Sequence, residues 1–161
     1  MEEIKLNTYE KSLKLMNELF ARDYQFSLAT SNDNIPSVRF VDTFYDNNSF
    51  YIVTYAKSNK VREIENNPNV SICNKLYRFN GVAYNIGHPL KSHNSEIRKK
   101  IIAVFEPWYF KHNDESDESM CYVKIELKNG FIYKDGLGYK VDFETKKADE
   151  FPFDFDIVMI E

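Results

Sequence analysis

Cysteine is scarce in this chain of 161 residues, which has only Cys73 and Cys121. Two cysteines are too few for a disulfide scaffold, and these two have no metal-ligand spacing. Each lies in an apolar, strand-like run, so both are expected to be buried free thiols in a reducing compartment, the cytoplasm. Glycine and proline are also sparse, with five of each, which argues against low-complexity or linker-rich organisation. No G-x-G-x-x-G occurs, so dinucleotide binding of the Rossmann type is not expected. No apolar run approaches the length of about 18 residues that would span a membrane. The opening residues, MEEIKLNTYEKSLKL, have no basic region leading into an apolar core, so no signal peptide is expected. Positive charge is not in excess: 21 Lys and Arg against 25 Asp and Glu give a formal net charge of −4. A nucleic-acid partner would need a basic face, so a small molecule or another protein suits the chain better.

Aromatic residues, by contrast, are plentiful, with 13 Phe and 11 Tyr. Length and patterning point to one domain over residues 1–161. Tyr9, Leu13, Met16 and Phe20 share one face of an amphipathic first helix, with Asn7 or Thr8 to cap it. Strands are expected at Gln25–Thr30, Ser37–Tyr45 and Phe50–Tyr55, separated by clusters of turn-forming residues. Connections this short make an antiparallel meander, because parallel neighbours need long crossovers. A short helix over Val61–Asn66 and a strand at Val70–Cys73 follow. The next strand, Tyr77–Ile86, carries a kink at Asn80-Gly81 and breaks at Gly87-His88-Pro89. Asn94 is placed to cap a helix bearing Ile97, Ile101 and Val104 or Phe105, and KHNDESDES (111–119) reads as a charged, mobile loop. Cys121–Leu127 alternates as a strand, and Asn129-Gly130 reads as a hairpin turn into Phe131–Tyr133. Gly136-Leu137-Gly138 turns into a further strand, Tyr139–Phe143. The end, EFPFDFDIVMIE, is a packed tail or an added edge. The whole is mainly β with peripheral helices (α+β), an antiparallel barrel of about six to seven strands.

The stretch Phe50–Cys73, FYIVTYAKSNKVREIENNPNVSIC, carries the most chemistry. An apolar strand runs into a small, basic turn and then into a helix start. That arrangement turns free backbone amides, the Ser58 hydroxyl and the Lys60 ammonium toward one point, as a phosphate requires. A solvated turn that only caps a helix is the plain alternative. On the preceding strand Arg39, Val41 and Thr43 share one face, and Val38, Phe40 and Phe44 share the other. The ordinary fate of such an arginine is to pair with a carboxylate. The third strand is apolar on both faces, so a partner subunit, a flat ligand or both are expected to cover the one turned from the core.

These residues resemble the pyridoxamine 5′-phosphate oxidase-like FMN-binding split barrels. The family pattern places an arginine on one strand, then a Thr-containing strand, a Ser-Arg-Lys turn and a short helix ending in Asn-Pro. Here those positions are Arg39, Thr54, Ser58-Asn59-Lys60 and Asn67-Pro68. The resemblance extends over roughly residues 8–127, leaving 128–161 as a C-terminal hairpin and tail. It implies FMN bound at a homodimer interface. Arg39, Ser58 and Lys60 would hold the phosphate, with Asn59 in the same turn. Thr54 and Tyr55 on one strand, and the backbone of Arg39, Phe40 and Val41 on the other, would line the ring and ribityl chain.

Two positions depart from the family. Asn59 stands where it carries an arginine, which removes one cation from the turn. The late Trp and Arg-x-Arg of true pyridoxamine 5′-phosphate oxidases are absent, so oxidation of vitamin B6 phosphates is not expected. His88 and Trp108 are candidates for a substrate pocket, although a loop-packing histidine and a core tryptophan are the usual outcomes. His88 and His93 have poor metal spacing, and no metal site is expected. The chain reads as a flavin-dependent oxidoreductase in which the cofactor carries the redox chemistry, so no residue is assigned as catalytic. Three alternatives stay open: a non-catalytic flavin binder or sensor, a haem-binding relative with His88 or His93 as axial ligand, and an interaction domain without cofactor.

Overall fold

The computed structural model describes residues 5–154. Helix α1, Thr8–Phe20, starts with a reciprocal capping box: the Glu10 amide donates to Asn7 Oδ1, and the Asn7 amide donates to Glu10 Oε2. Its last residue, Phe20, is fully buried and meets Tyr24, Phe26, Phe50, Tyr77 and Phe79 ring to ring, at centroid distances of 4.9 to 5.7 Å. Burying a side chain of that size contributes roughly 1.5–3 kcal/mol, so α1 is held by its end.

Strands β1 (Tyr24–Asn32), β2 (Ile35–Asp46) and β3 (Ser49–Tyr55) form the expected meander. Both connections are two-residue turns, Asp33-Asn34 and Asn47-Asn48, with positive φ at each position (49°, 62° and 47°, 60°). Asparagine and aspartate tolerate that conformation, and it matches the twist of the flanking strands. Helix α2 (Asn59–Asn66) and strands β4 (Asn69–Asn74) and β5 (Tyr77–Gly87) come next. Helices α3 (Ser95–Val104) and α4 (Tyr109–His112) precede β6 (Met120–Lys134), β7 (Leu137–Asp142) and β8 (Lys147–Pro152). The sheet runs β3-β2-β1-β4-β5-β6-β7-β8, and β3 also pairs with β6. Six antiparallel strands therefore close into a barrel, and β7 and β8 extend the sheet from the far half of β6. The residues EFPF (150–153) lie on or just after this added edge; 155–161 fall outside the described residues.

The structure corrects several expectations. Asn129-Gly130 is no hairpin but the interior of the continuous strand β6, beside a register shift opposite Asn80/Gly81. Gly130 is required there because a Cβ would stand 2.2 Å from the Phe79 ring. The turn lies at Asp135-Gly136, both with positive φ. Asn94 does not cap α3: its Nδ2 donates to the carbonyls of Ile86 and His88. Cys73 is exposed on β4, and only Cys121 is buried. The charged loop is pinned, with Arg98 donating two hydrogen bonds to Glu115 and Asp114 and Asp117 each accepting from a serine two residues on.

Finally, the second face of β3 is covered by the chain itself. Tyr51 joins Phe44, Ile101, Phe105, Tyr109, Met120 and Tyr122 in a second core beneath α3 and α4, with Val53 and Tyr55 packed against it. Among the described residues, the most exposed large apolar side chains are on β2, where Val38 and Phe40 are 70% and 73% exposed.

Candidate functional site

The strand β3, the turn after it and α2 build the site at one end of the barrel. Ser58 donates its amide to the Tyr55 carbonyl, which folds the chain back into α2. Val61 and Ile64 are buried at a spacing of three and seat the helix on the core. Asn67 closes it with a hydrogen bond to the Glu63 carbonyl, and Pro68 follows. Ser58 stands at the N-cap position, yet its hydroxyl caps nothing. It lies instead 3.4 Å from Thr54 Oγ1, which accepts a 3.1 Å hydrogen bond from Lys60 Nζ. Thr54, Ser58 and Lys60 thus converge.

Lys60 is the electrostatic centre of this group. Its ammonium is partly buried and makes no ion pair among the described residues. Burial pushes its pKa down, and the positive charge of Arg39 pushes the same way. A partly desolvated cation with one hydroxyl partner and no carboxylate is stabilised by an anion beside it. The first turn of α2 adds unpaired amides and the positive end of a helix dipole.

Arg39 belongs to an adjoining network. Its Nη1 donates to Thr30 Oγ1 at 2.6 Å and its Nη2 to Glu63 Oε2 at 2.7 Å. Thr30 Oγ1 and Ser37 Oγ also donate to the Glu63 carboxylate, at 2.6 and 3.0 Å. The hydroxyl of Thr30, then Arg39, hold the Glu63 carboxyl below the usual range, so it stays ionised. Thr30, Ser37 and Glu63 are absent from the sequence-based site. The signals for them exist: the Asp33-Asn34 turn sets Thr30 opposite Ser37, and Glu63 follows Lys60 by three helical positions.

The remaining candidates separate. The Val41 side chain is in the core, whereas Phe40 projects outward from the strand. Tyr55 accepts the Asp114 amide on its hydroxyl, and Asn59 is exposed. Trp108 rests on Phe105 and donates its indole N–H to Asp23, contacts that tie it to the second core and not to Lys60. His88 Nδ1 accepts from the Leu90 amide, and His93 Nε2 lies 2.8 Å from the Ile86 carbonyl. Depressions of 490 Å³ beside Arg78 and Lys140, and of 520 Å³ beside Tyr55 and Phe110, include none of Thr54, Ser58 and Lys60. Thr54 is buried, and Ser58 and Lys60 are half-buried. Among the described residues, no group of three or more His, Cys, Asp or Glu is placed to hold a metal, and no helix is long and apolar enough to cross a membrane.

Residues 13–127 match a family model described as Pyridoxamine 5′-phosphate oxidase. None of the curated proteins matches the chain in sequence. Among solved structures, General Stress Protein 26 from Bacillus anthracis is 21% identical with a TM-score of 0.57, over 73% of this chain and 90% of that one. A pyridoxamine 5′-phosphate oxidase-related, FMN binding protein from Nostoc punctiforme is 14% identical with a TM-score of 0.57, over 94% and 100%. A heme binding protein from Mycobacterium smegmatis is 12% identical with a TM-score of 0.58, over 93% of this chain and 60% of that one.

Proposed function

Because the chain belongs to the pyridoxamine 5′-phosphate oxidase family, we propose that it binds FMN and works as a cytoplasmic flavin-dependent oxidoreductase of a small substrate. The observation that carries the reading is Lys60, a partly buried ammonium that meets the Thr54 hydroxyl and, among the described residues, no carboxylate. A phosphate monoester supplies the missing charge. Lys60, Ser58 and Thr54 would hold it, with Asn59 and the first-turn amides of α2 facing it and Arg39 alongside. Each charge-assisted bond of this kind is worth roughly 1.5–3 kcal/mol. FMN, when bound, supplies the redox chemistry, and the protein's task is to hold and orient it.

The bare Val38–Phe40 face supports a homodimer in which a second copy covers the flavin. An isologous contact would bury both apolar faces at once. The substrate side differs from a vitamin B6 oxidase, since the late Trp and Arg-x-Arg are missing and Trp108 is committed to Phe105 and Asp23. The haem alternative draws support only from the structural likeness to a heme binding protein. His88 Nδ1 accepts from the Leu90 amide, which puts the proton of its neutral ring on Nε2, and His93 Nε2 lies 2.8 Å from the Ile86 carbonyl, so either ring would have to give up its present tautomer or bond to bind iron through Nε2. Titration with FMN and with riboflavin, followed by flavin fluorescence quenching, tests the proposal. FMN binding at least tenfold tighter is expected from one lost phosphate contact. Equal affinities would refute the phosphate site.

A further inference from the structure

Lys60 and Glu63 are neighbours on one face of α2, three residues apart, yet they form no ion pair. The Glu63 carboxylate is drawn away by three donors, Thr30, Ser37 and Arg39, at 2.6, 3.0 and 2.7 Å. Both members of the Arg39–Glu63 pair are largely buried, with side chains 23% and 18% exposed. One cation of the site is thus neutralised while the other is left bare. Glu63 is one helical turn from Lys60 and is bonded to Arg39 at 2.7 Å, so an anion at Lys60 would stand near the Arg39–Glu63 pair.

From this division we infer that Glu63 is the specificity-determining residue of the anion site: its carboxylate withholds Arg39 from an incoming phosphate and limits the site to the single charge of Lys60. The inference rests on the phosphate-site reading above. Its logic is charge counting. Without Glu63, two cations and the helix start would face the ligand; with it, the Arg39–Glu63 pair adds no net charge. The hydroxyls of Thr30 and Ser37 make this arrangement durable, because they hold the carboxylate in place without cancelling its charge. Asn59, uncharged in the same turn, leaves the site equally lean. A chain built this way prefers the phosphorylated flavin through Lys60, by less than an unpaired Arg39 would allow.

Glu63→Gln tests this because the amide keeps the size and most of the hydrogen-bonding capacity of the carboxylate and removes only its charge. The readout is the ratio of riboflavin to FMN dissociation constants, which a purely structural role would not move. Glu63→Gln is expected to raise that ratio about tenfold, almost entirely through FMN. An unchanged or lower ratio would show that Glu63 instead orients Arg39 toward the phosphate, and would overturn the inference. Glu63→Ala, a favourable helix residue, serves if the amide variant fails to fold. The double variant Arg39→Ala/Glu63→Gln, which removes a neutral pair, should keep the wild-type ratio; a tenfold loss would also refute the inference. If the wild-type protein itself shows a ratio of one, the phosphate site fails, and Glu63 has no anion to discriminate.

Discussion

Replacing Lys60 with alanine separates a binding role from a structural one, because the two roles predict opposite effects. The Lys60 ammonium makes one hydrogen bond, to Thr54 Oγ1, and no ion pair among the described residues. Its burial is unfavourable, as the lowered pKa records. Removing it should therefore leave the ligand-free protein as stable as before, or slightly more so. In the FMN complex the same substitution removes a charge-assisted bond to phosphate, worth roughly 1.5–3 kcal/mol, or a 10- to 100-fold loss in affinity. Riboflavin should lose almost nothing.

The pH dependence follows with a definite sign. In the folded protein the Lys60 pKa is below its ordinary value of 10.5. Between the two values the unfolded chain binds more protons than the folded one, so this group's contribution to stability rises with pH in that window. The penalty is present in full below the folded pKa. FMN binding should weaken as pH rises through that folded pKa, and the effect should vanish in Lys60→Ala. Thermal melts of the free protein, with flavin quenching titrations across alkaline pH, measure both. A variant that loses stability but keeps its preference for FMN would refute the reasoning.

Three further outcomes are expected. Phe40→Asp, on the bare face of β2, should convert a dimer to a monomer in sedimentation velocity and remove any dependence of the thermal midpoint on protein concentration; a wild-type monomer at micromolar concentration would remove the proposed interface. Gly130→Ala forces a Cβ into the Phe79 ring, so it should destabilise the protein by about 1–3 kcal/mol in urea unfolding, and a neutral result would show that β6 can shift. The purified, flavin-loaded protein should show no oxidation of pyridoxine or pyridoxamine phosphate above free flavin in an oxygen-uptake assay.

The barrel was legible in the sequence where local signals and tertiary structure agreed. Asn-rich turns, alternating strands and a cap at Asn7 each lead to the observed element. Asn129-Gly130 misled because a dipeptide suited to a tight turn is also suited to a bulge, and only the Phe79 ring decides between them. The covering of β3 was also hidden: periodicity shows that Tyr51 and Val53 need cover, but not that α3 and α4 of the same chain provide it. In the site, Thr54, Ser58 and Lys60 were legible because they are nearly contiguous. That Arg39 pairs with a carboxylate was also legible, but not that the partner is Glu63, which lies on a helix 24 residues away.

The most direct measurement is the visible spectrum of the freshly purified protein, followed by acid release and identification of the chromophore, with FMN added back where occupancy is low. The account predicts a yellow protein that yields or takes up one FMN per chain. A haem spectrum, a released flavin without the phosphate, or a chain that fails to take up FMN would contradict it.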